Sequence, residues 1–305
     1  MTWLSGFLRN QALLLLGNRQ HAILHAVILA LLPYTAWLSV AVIALVTLRK
    51  GGREGSVLLI SAMLAHFALS LMSLPPAIAV ANTLLTFVPC FMAAHILCLT
   101  ANWRAVAAVF FMQVVVAVGL LHVLMPDFIM AQYLYIQTAI SSMQTESALL
   151  EFVNDKTGLN QLMLANYLLG LQAVGIVLSA LSSLMLARSV QSKLYYPEGF
   201  KQEMLTLRGN KIGLLLLFIM LFAANQGSVL AMNILPVLMF YFLLAGLSLG
   251  FSVLARKTLM GSLLLLVVPL VLLPFVMLPV YVIFGSLDSL FNFRLYLPTG
   301  AGKRT

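Results

Sequence analysis

The sequence is short of charged residues, and of acidic residues above all. Its 305 residues include eight Asp and Glu against seventeen Lys and Arg, and charged residues make up only 8% of the chain. Soluble domains have about 25% charged residues, so this shortage excludes an ordinary water-soluble fold. The basic excess is typical of inner-membrane proteins, whose cytoplasmic loops collect Lys and Arg. The sequence has no basic cluster with interleaved aromatic residues, so we predict no nucleic-acid binding.

The sequence also lacks the residue sets of common enzymes and metal sites. It contains no His-Glu-x-x-His, no phosphate-binding loop and no Gly-x-Gly-x-x-Gly. Its five histidines form no ligand set. The two cysteines, Cys90 and Cys98, are separated by about 12 Å of helical rise, too far to bond each other, and we expect both to be small core residues. We therefore predict no enzymatic activity, no cofactor and no metal.

Carboxylates at membrane depth, which mark proton-coupled pumps, are nearly missing. Asp288 alone approaches that depth. Asp288 and Arg294 are six residues apart and would lie on different faces of one helix, so we expect no direct ion pair between them.

Long apolar runs fill most of the chain. Residues 105–125 and 213–255 exceed the roughly 20 residues that a helix needs to cross a bilayer. Backbone polar groups in lipid must be satisfied within the segment, which requires helices. The predicted fold class is all-α, a polytopic integral membrane helix bundle that forms a single membrane domain over residues 1–305.

Prolines leave two apolar regions ambiguous, because each is either one span or a hairpin of two short spans. They are residues 13–48, interrupted by Pro33, and 259–293, interrupted by three prolines. Single spans give eight crossings and place 11 of the seventeen basic residues on the cytoplasmic side and 6 on the outer side. Hairpins give ten crossings and place 16 on the cytoplasmic side and 1 on the outer side. The positive-inside rule favours hairpins. We therefore predict about 8–10 transmembrane segments with both termini in the cytoplasm. We also predict a turn at Asn233 on the outer side of the membrane.

Two segments are more polar than the rest. Within the predicted cytoplasmic loop 188–211, Phe200, Met204 and Leu207 form an apolar stripe, which predicts an amphipathic helix on the membrane surface. A plain connector whose charges only set the topology is the alternative. The predicted outer loop 126–160 is rich in aromatic and apolar residues, and we expect it to contain surface helices.

Three segments carry a family resemblance: YYPEGFKQEMLTLR (195–208), NILPVLMFYFLLAGLSLGFSVLARK (233–257) and FGSLDSLFNFR (284–294). They are similar to an inner loop, a Phe-rich late helix and a closing Gly-x-x-Asp-x-x-x-x-x-Arg element of the YybS-like bacterial membrane proteins, a family of unknown function. The inner loop departs from the family by having Tyr-Pro-Glu-Gly where relatives have Asn-Pro-Gly-Gly.

That family is remotely similar to the substrate-binding subunits of energy-coupling-factor transporters. The resemblance implies a six-helix solute-binding core and an energising partner contacted through small residues of the first helix, here Ala22, Ala26 and Ala30. It also implies a second short helix over residues 33–52, which favours the Pro33 hairpin. Stripes of small residues are common wherever membrane helices pack, so packing within the chain is the alternative for these alanines.

Neutral polar side chains in the apolar helices are the candidate solute ligands. The candidates that we expect near the outer side are Asn225, Gln226, Asn233, His122 and Asn166. For each of them, hydrogen bonding between helices is the alternative role.

Two classes of function follow from these observations. The first is a small-solute-binding or transport subunit of the bacterial inner membrane that works with an energising partner. The second is a scaffold or assembly factor that binds other membrane proteins through the 188–211 and 126–160 segments, including the stripe of Phe200, Met204 and Leu207. In both classes of function, the protein is embedded in the lipid bilayer.

Overall fold

A computed structural model of the chain describes residues 2–125, 127–131, 133, 134, 138, 161–254 and 259–296. Within these residues the chain forms helices and the turns between them, with no strand, which confirms the predicted all-α class. The helices are α1 (Thr2–Gly17), α2 (Arg19–Leu31), α3 (Ala36–Lys50), α4 (Gly52–Ser70), α5 (Pro76–Thr100), α6 (Trp103–Leu124), α7 (Gln161–Tyr195), α8 (Gly199–Thr206), α9 (Lys211–Asn225), α10 (Val229–Val253), α11 (Leu259–Leu272), α12 (Pro274–Phe291) and a 3-10 helix (Phe293–Tyr296).

Five helices are long and apolar enough to cross a membrane. They are Pro76–Thr100, Trp103–Leu124, Met163–Tyr195, Val229–Val253 and Pro274–Phe291. Two bent pairs reach this length only when joined: α1 with α2, bent by 116°, and α8 with α9, bent by 49°. The described residues thus form a polytopic membrane helix bundle with five to seven candidate spans. Three of the predicted segments are not among them: α3 and α11 have only 15 and 14 residues, and α4, with 19 residues, begins with the charged Arg53 and Glu54.

The bend between α1 and α2 was not expected from the apolar run. Asn18 interrupts it in an extended conformation, and its side chain accepts a hydrogen bond from the backbone N–H of Gln20 at 2.9 Å. This is an N-cap, which satisfies one of the donors left open at a helix start. Asn18 therefore begins a new helix within an apolar stretch.

The helices α2 and α3 form an antiparallel hairpin around Pro33, as predicted. Pro33 has no N–H to donate to Leu29, and the hydroxyl of Thr35 donates to that carbonyl instead, at 2.6 Å. Further from the turn, the Ser39 hydroxyl donates to the carbonyl of Ala26 at 2.7 Å. Contacts placed symmetrically about the proline show that the two helices run side by side.

The second ambiguous region is also a hairpin. The chain turns at Leu273, and Pro274 begins α12, a position where the missing N–H of proline costs nothing. The hydroxyl of Tyr281 in α12 donates to the carbonyl of Leu266 in α11 at 2.9 Å. Pro269 and Pro279 lie inside these two helices, so only Pro274 marks the break.

The predicted turn at Asn233 was wrong. The chain turns earlier, between the end of α9 at Asn225 and the start of α10 at Val229. Gly227 lies in this turn with φ +84°, a conformation that glycine adopts without strain. Asn233 is therefore inside α10 and fully buried.

The contacts of the chain divide into two compact units. Unit 1 comprises Met1–Phe110 and Gly175–Leu207, and unit 2 comprises Phe111–Val174 and Arg208–Thr305. In unit 1, α2 packs against α3 and α4, and Ala22, Ala26 and Ala30 are at most 1% exposed. This alanine stripe is used for packing within the chain. The single membrane domain over residues 1–305 stays a prediction.

In unit 2, α10 packs against α9 and most closely against α12. The core between α9 and α10 includes Leu214, Leu217, Met232, Leu238 and Phe242. Large side chains pointing away from this core are exposed, such as Phe218 and Phe222 of α9, as expected for helices that face lipid.

A part of the 126–160 segment is described. Residues 128–131, 133 and 134 are helical, and Ile129 and Tyr133 pack in a buried cluster with Ala165 and Leu169 of α7. The described residues do not include 126, 132, 135–137 and 139–160. The rest of the predicted outer-surface helices lies in these positions.

The two cysteines have different environments. Cys90 is buried in α5, as expected of a small core residue, whereas Cys98 is exposed. The expectation of a core position was therefore wrong for Cys98.

Candidate functional site

Two of the five predicted site residues meet inside unit 2. Asn166, one turn into α7, and Asn233, one turn into α10, are both 0% exposed. The amide nitrogen of Asn233 donates to the side-chain oxygen of Asn166 at 2.8 Å and to the carbonyl of Val229 at 2.8 Å. The two asparagines thus form a buried hydrogen bond between helices.

The side-chain oxygen of Asn233 has an open acceptor position. It is buried and has no hydrogen-bond partner in the described part of the chain. An amide nitrogen has two N–H groups, and both hydrogen bonds described for Asn233 use them. A buried polar atom without a partner costs about 1–3 kcal/mol, and in native proteins a ligand, an ion or an ordered water commonly satisfies it.

Pro236 adds a second acceptor next to Asn233. Proline has no N–H, so the carbonyl of Met232, four residues earlier in α10, loses its usual intrahelical donor. Met232 is itself 1% exposed. Two acceptors therefore lie on consecutive residues inside the apolar bundle, which favours a bound group that donates hydrogen bonds.

Gly170 allows α7 and α10 to approach closely at this point. A Cβ added at Gly170 would lie 2.7 Å from the carbonyl oxygen of Asn233 and 2.9 Å from Cγ of Pro236. Gly170 is one turn after Asn166, on the same face of α7. The close backbone approach holds Asn166 within hydrogen-bonding distance of Asn233.

The remaining three predicted residues have other environments. Asn225 ends α9 and Gln226 follows it, and both are exposed. His122 of α6 is half-buried, and its Nδ1 donates to the carbonyl of Val118 at 2.8 Å. This leaves Nε2 of His122 as a buried acceptor with no partner among the described residues. Of these five, Asn166 and Asn233 are the pair joined by a side-chain hydrogen bond in the described part of the chain.

A group that was not predicted from the sequence lies at the other end of α10 and α12. Asp288 is 0% exposed, and Nε of Arg294 is 3.0 Å from its Oδ2 atom. Nε of Arg208 is 4.0 Å from the same Oδ2, and it donates to the Asp288 carbonyl at 2.7 Å. The expectation of no direct pair between Asp288 and Arg294 was wrong.

The end of α12 explains this error. The helix ends at Phe291, and Asn292 has φ 49° and ψ 60°, a left-handed conformation. The chain then folds back, so Arg294 reaches Asp288 and donates to the hydroxyl of Ser248 at 3.2 Å. Asparagine tolerates left-handed backbone and often follows a helix end, so Asn292 was the signal that was missed.

Burial and charge act in opposite directions on Arg294, which lies beyond the end of the α12 span. Burial lowers the pKa of Arg294, whereas the charge of Asp288 and its hydrogen bond raise it. The positive charge of Arg208 then lowers the pKa of Arg294 again. The balance is a lowered pKa, and burial is its largest cause.

The 195–211 strip is anchored by a half-buried acid, Glu203. Glu203 of α8 accepts a hydrogen bond from Nε1 of Trp103 at 2.9 Å and from Nε of Arg188 at 3.1 Å, and its other oxygen is paired with Nη2 of Arg188. Burial alone would raise the pKa of Glu203, but the hydrogen bonds from Arg188 and Trp103, together with the charge of Arg188, lower it. These contacts fix α8 within unit 1.

The predicted apolar stripe on this strip is only in part helical. Phe200 and Met204 lie in α8, whereas Leu207 follows its end. All three are half-buried and Lys201 is exposed. The ring centroids of Phe200 and Trp103 are 6.5 Å apart. Contact of this stripe with the membrane surface stays a prediction.

The expectation that the sequence contains no Gly-x-Ser-x-Gly was wrong: residues 246–250 read Gly-Leu-Ser-Leu-Gly, the pattern of a hydrolase nucleophile elbow. That motif requires a sharp turn between a strand and a helix to expose the serine. Here the five residues lie inside α10, and Ser248 is 5% exposed and bonded to Arg294. The pattern therefore has none of the structural context of a catalytic serine.

No protein-family model matches the chain, and neither a curated protein nor a solved structure shows significant similarity to it.

Proposed function

We propose that the protein is a small-solute-binding subunit of the bacterial inner membrane, with its binding site at Asn166 and Asn233. The observation that carries the proposal is the buried side-chain oxygen of Asn233, which has no hydrogen-bond partner among the described residues. In an apolar bundle such an atom is costly to leave unpaired, and a solute that donates a hydrogen bond would satisfy it.

The chemistry of the site suits a solute with N–H or O–H groups. The open side-chain positions in the described part of unit 2 include the oxygen of Asn233 and Nε2 of His122. Beside the first, the carbonyl of Met232 lacks its usual intrahelical donor because residue 236 is proline. The two described hydrogen bonds of the Asn233 amide go to neutral groups, the side-chain oxygen of Asn166 and the carbonyl of Val229. The close approach at Gly170 fixes the pair before the solute arrives, which lowers the entropic cost of binding.

The position of the pair suits entry from one end of unit 2. Asn166 and Asn233 are each about one turn from the start of a helix, and Ile129 and Tyr133 of the 126–160 segment pack against Ala165 and Leu169 beside Asn166. We assign this end to the outer side of the membrane, where the 126–160 segment would cover the bound solute.

The resemblance to the YybS-like proteins, and more remotely to substrate-binding subunits of energy-coupling-factor transporters, supports the same proposal. On this basis the subunit works with a separate energising partner in the membrane. Ala22, Ala26 and Ala30 are buried within unit 1, so we do not assign that contact to the alanine stripe.

The test compares two amide side chains of unit 2, one buried and one exposed. The full chain and its Asn233→Leu and Gln226→Ala variants are purified in mild detergent, and the bound small molecules are identified by mass spectrometry after denaturation. Loss of a contact in a dry site weakens binding by roughly five- to a hundredfold, so we expect Asn233→Leu to lose the compound that the wild type retains. Gln226→Ala should retain it.

Folding should survive the change, because hydrogen bonds between membrane helices contribute only about 0.6 kcal/mol on average. A wild-type protein that carries no small molecule contradicts the proposal. An equal amount of the same compound in the wild type and in Asn233→Leu places the binding site elsewhere in the molecule.

A scaffold remains the second candidate, and the fixed position of α8 favours it. Glu203, Arg188 and Trp103 hold this helix in place, while Lys201 and Gln202 on the same helix are exposed. A rigid surface of this kind suits a protein partner. In the same purification, the scaffold would be favoured by two results together. The wild type carries a stoichiometric partner protein and no small molecule, and a Lys201→Glu variant loses that partner.

A further inference from the structure

The last third of the chain has a strong excess of positive charge. Residues 208–305 contain seven Lys and Arg and one acidic residue, Asp288. The side chain of Asp288 is 0% exposed. The one negative side chain in this region is therefore inside the protein, among arginines.

Two guanidinium groups share the carboxylate of Asp288. Nε of Arg294 is 3.0 Å from Oδ2 and Nε of Arg208 is 4.0 Å from the same atom. Arg294 is thus within hydrogen-bonding distance of the carboxylate, and Arg208 is beyond it. The three side chains together carry one net positive charge, and the arginine side chains are only 15% and 19% exposed.

The hydrogen bonds of Arg208 go to neutral groups. Its Nε and Nη2 atoms donate to the carbonyls of Asp288 and Ser289, at 2.7 and 3.1 Å. These carbonyls lie in the last turn of α12, where a positive side chain is favourable to the helix dipole. A guanidinium has five N–H donors, so these two bonds leave Arg208 with donors and charge for an anion.

The location of the two arginines suits a lipid headgroup. They lie where α9 begins and where α10 and α12 end, which is the depth at which apolar spans reach the membrane surface. Apolar side chains close to them in sequence are exposed: Ile212 by 66%, Phe291 by 62% and Leu295 by 76%. Positive charge beside exposed apolar surface matches a molecule with an anionic head and acyl chains.

We propose that Arg208, in a cluster that has a net positive charge through Arg294, binds the phosphate of an anionic phospholipid at this end of unit 2. Arginine binds phosphate oxygens through paired, charge-assisted N–H bonds, and basic groups between membrane helices are the usual sites for anionic headgroups. The acyl chains lie along the exposed apolar residues of α9 and α12. This site is separate from the asparagine pair and does not depend on the proposed function.

Three probes identify the ligand. The full chain in a neutral detergent is heated with phosphatidylglycerol, with phosphatidylcholine of the same acyl chains, or with inorganic phosphate at the same phosphate concentration. We expect phosphatidylglycerol to raise the unfolding temperature more than phosphatidylcholine, and inorganic phosphate to leave it unchanged. An equal increase with both lipids, or an increase with inorganic phosphate that matches phosphatidylglycerol, overturns the proposal.

Variants then assign the site. Arg208→Gln should raise the half-saturating phosphatidylglycerol concentration roughly tenfold, the loss that corresponds to one charge-assisted hydrogen bond. Lys201→Gln removes an exposed positive charge from the same strip within unit 1 and should leave that concentration unchanged. Equal effects of the two variants would show charge attraction without a site, and would contradict the proposal.

A measurement on the wild type keeps the test valid if Arg208→Gln does not fold. In native mass spectrometry from an equimolar mixture of the two lipids, the wild type should retain phosphatidylglycerol preferentially, and Asn233→Leu should retain it equally well. Wild-type protein that retains both lipids equally would refute the site directly.

Discussion

Asp288 is a single buried carboxylate that holds two arginines at the end of an apolar helix. Replacing it with Asn leaves Arg208 and Arg294 half-buried without an opposite charge. Removal of one partner from a buried ion pair costs about 3–5 kcal/mol, so we expect Asp288→Asn to destabilise the protein by that amount. Denaturant unfolding of the detergent-solubilised protein, followed by far-UV circular dichroism, measures the change.

The matched control is an exposed ion pair. Nε of Arg19 is 3.5 Å from Oε2 of Glu54, with side chains 52% and 35% exposed. Exposed pairs contribute about 0–1 kcal/mol, so Glu54→Gln should have little effect on the free energy of unfolding. If the two substitutions cost the same, Asp288 does not act as the counter-charge of a buried site.

At the scale of helices, α10 and α12 touch through two glycines. A Cβ at Gly246 would collide with the backbone carbonyl of Tyr281, and a Cβ at Gly285 with that of Phe242. Because backbone atoms cannot rotate away, Gly246→Ala and Gly285→Ala should each cost at least the 1–3 kcal/mol that is typical of overpacking. Thermal unfolding of each variant provides the measurement.

Glycines in open positions of other helices are the control for this prediction. A Cβ at Gly119 of α6 or Gly175 of α7 would have no heavy atom within 4 Å. Alanine is favoured over glycine within helices by about 0.5–1 kcal/mol, so Gly119→Ala and Gly175→Ala should be neutral or stabilising. A Gly246→Ala protein as stable as Gly119→Ala would contradict the close contact between α10 and α12.

The position of α8 should depend on pH through Glu203. Because the folded pKa of Glu203 is lowered, the stabilisation it gives is complete above its ordinary value of about 4.3 and is lost as the pH falls through the lower folded pKa. Spin labels at positions 200 and 201 in a Cys98→Ser background should report this. At neutral pH the label at 200 should be shielded from an aqueous quencher and the label at 201 accessible.

Acid should reduce this difference in the wild type, and Glu203→Gln should reduce it at neutral pH. Glu198→Gln, which changes an exposed acid just before α8, should preserve the difference. Labels with equal accessibility at neutral pH in the wild type would favour the plain-connector interpretation of the strip.

At the scale of the whole molecule, we predict that both termini face the cytoplasm. With both proline hairpins in place, sixteen of the seventeen basic residues lie on one side of the membrane under this assignment. Reporter fusions at positions 5 and 303 measure the location of each end. A periplasmic signal at either end would mean that its hairpin does not cross the membrane twice.

The helices and their breaks were largely predictable because they depend on local chemistry. Apolar runs required helices, Pro33 and Pro274 marked the two hairpins, and Gly227 permitted the turn that had been assigned to Asn233. The missed features are Asn18, which caps α2, and Asn292, which ends α12. Both are asparagines at helix ends, and the apolar pattern alone does not distinguish a capping asparagine from one in the middle of a helix.

The candidate site was predictable only as a set of side chains. In the sequence, four amide side chains within or beside apolar runs are equivalent: Asn166, Asn233, Asn225 and Gln226. Burial separates the first two from the others, and burial depends on which helices pack together. Similarly, the contact of Arg208 with Asp288 joins residues 80 positions apart.

The sequence by itself determined that this protein is a bundle of apolar helices, because lipid permits few other conformations for such runs. The division of Lys and Arg favoured two proline hairpins over single spans, and the tertiary structure decided between them. Only the tertiary structure decided which polar groups are paired. Packing of α7 on α10 joins Asn233 to Asn166 and leaves the side-chain oxygen of Asn233 without a partner in the part of the chain that the structure describes. The left-handed turn at Asn292 carries Arg294 back to Asp288. Hydrogen bonds and ion pairs act over a few ångströms, so they depend on positions in space that hydropathy and spacing do not specify.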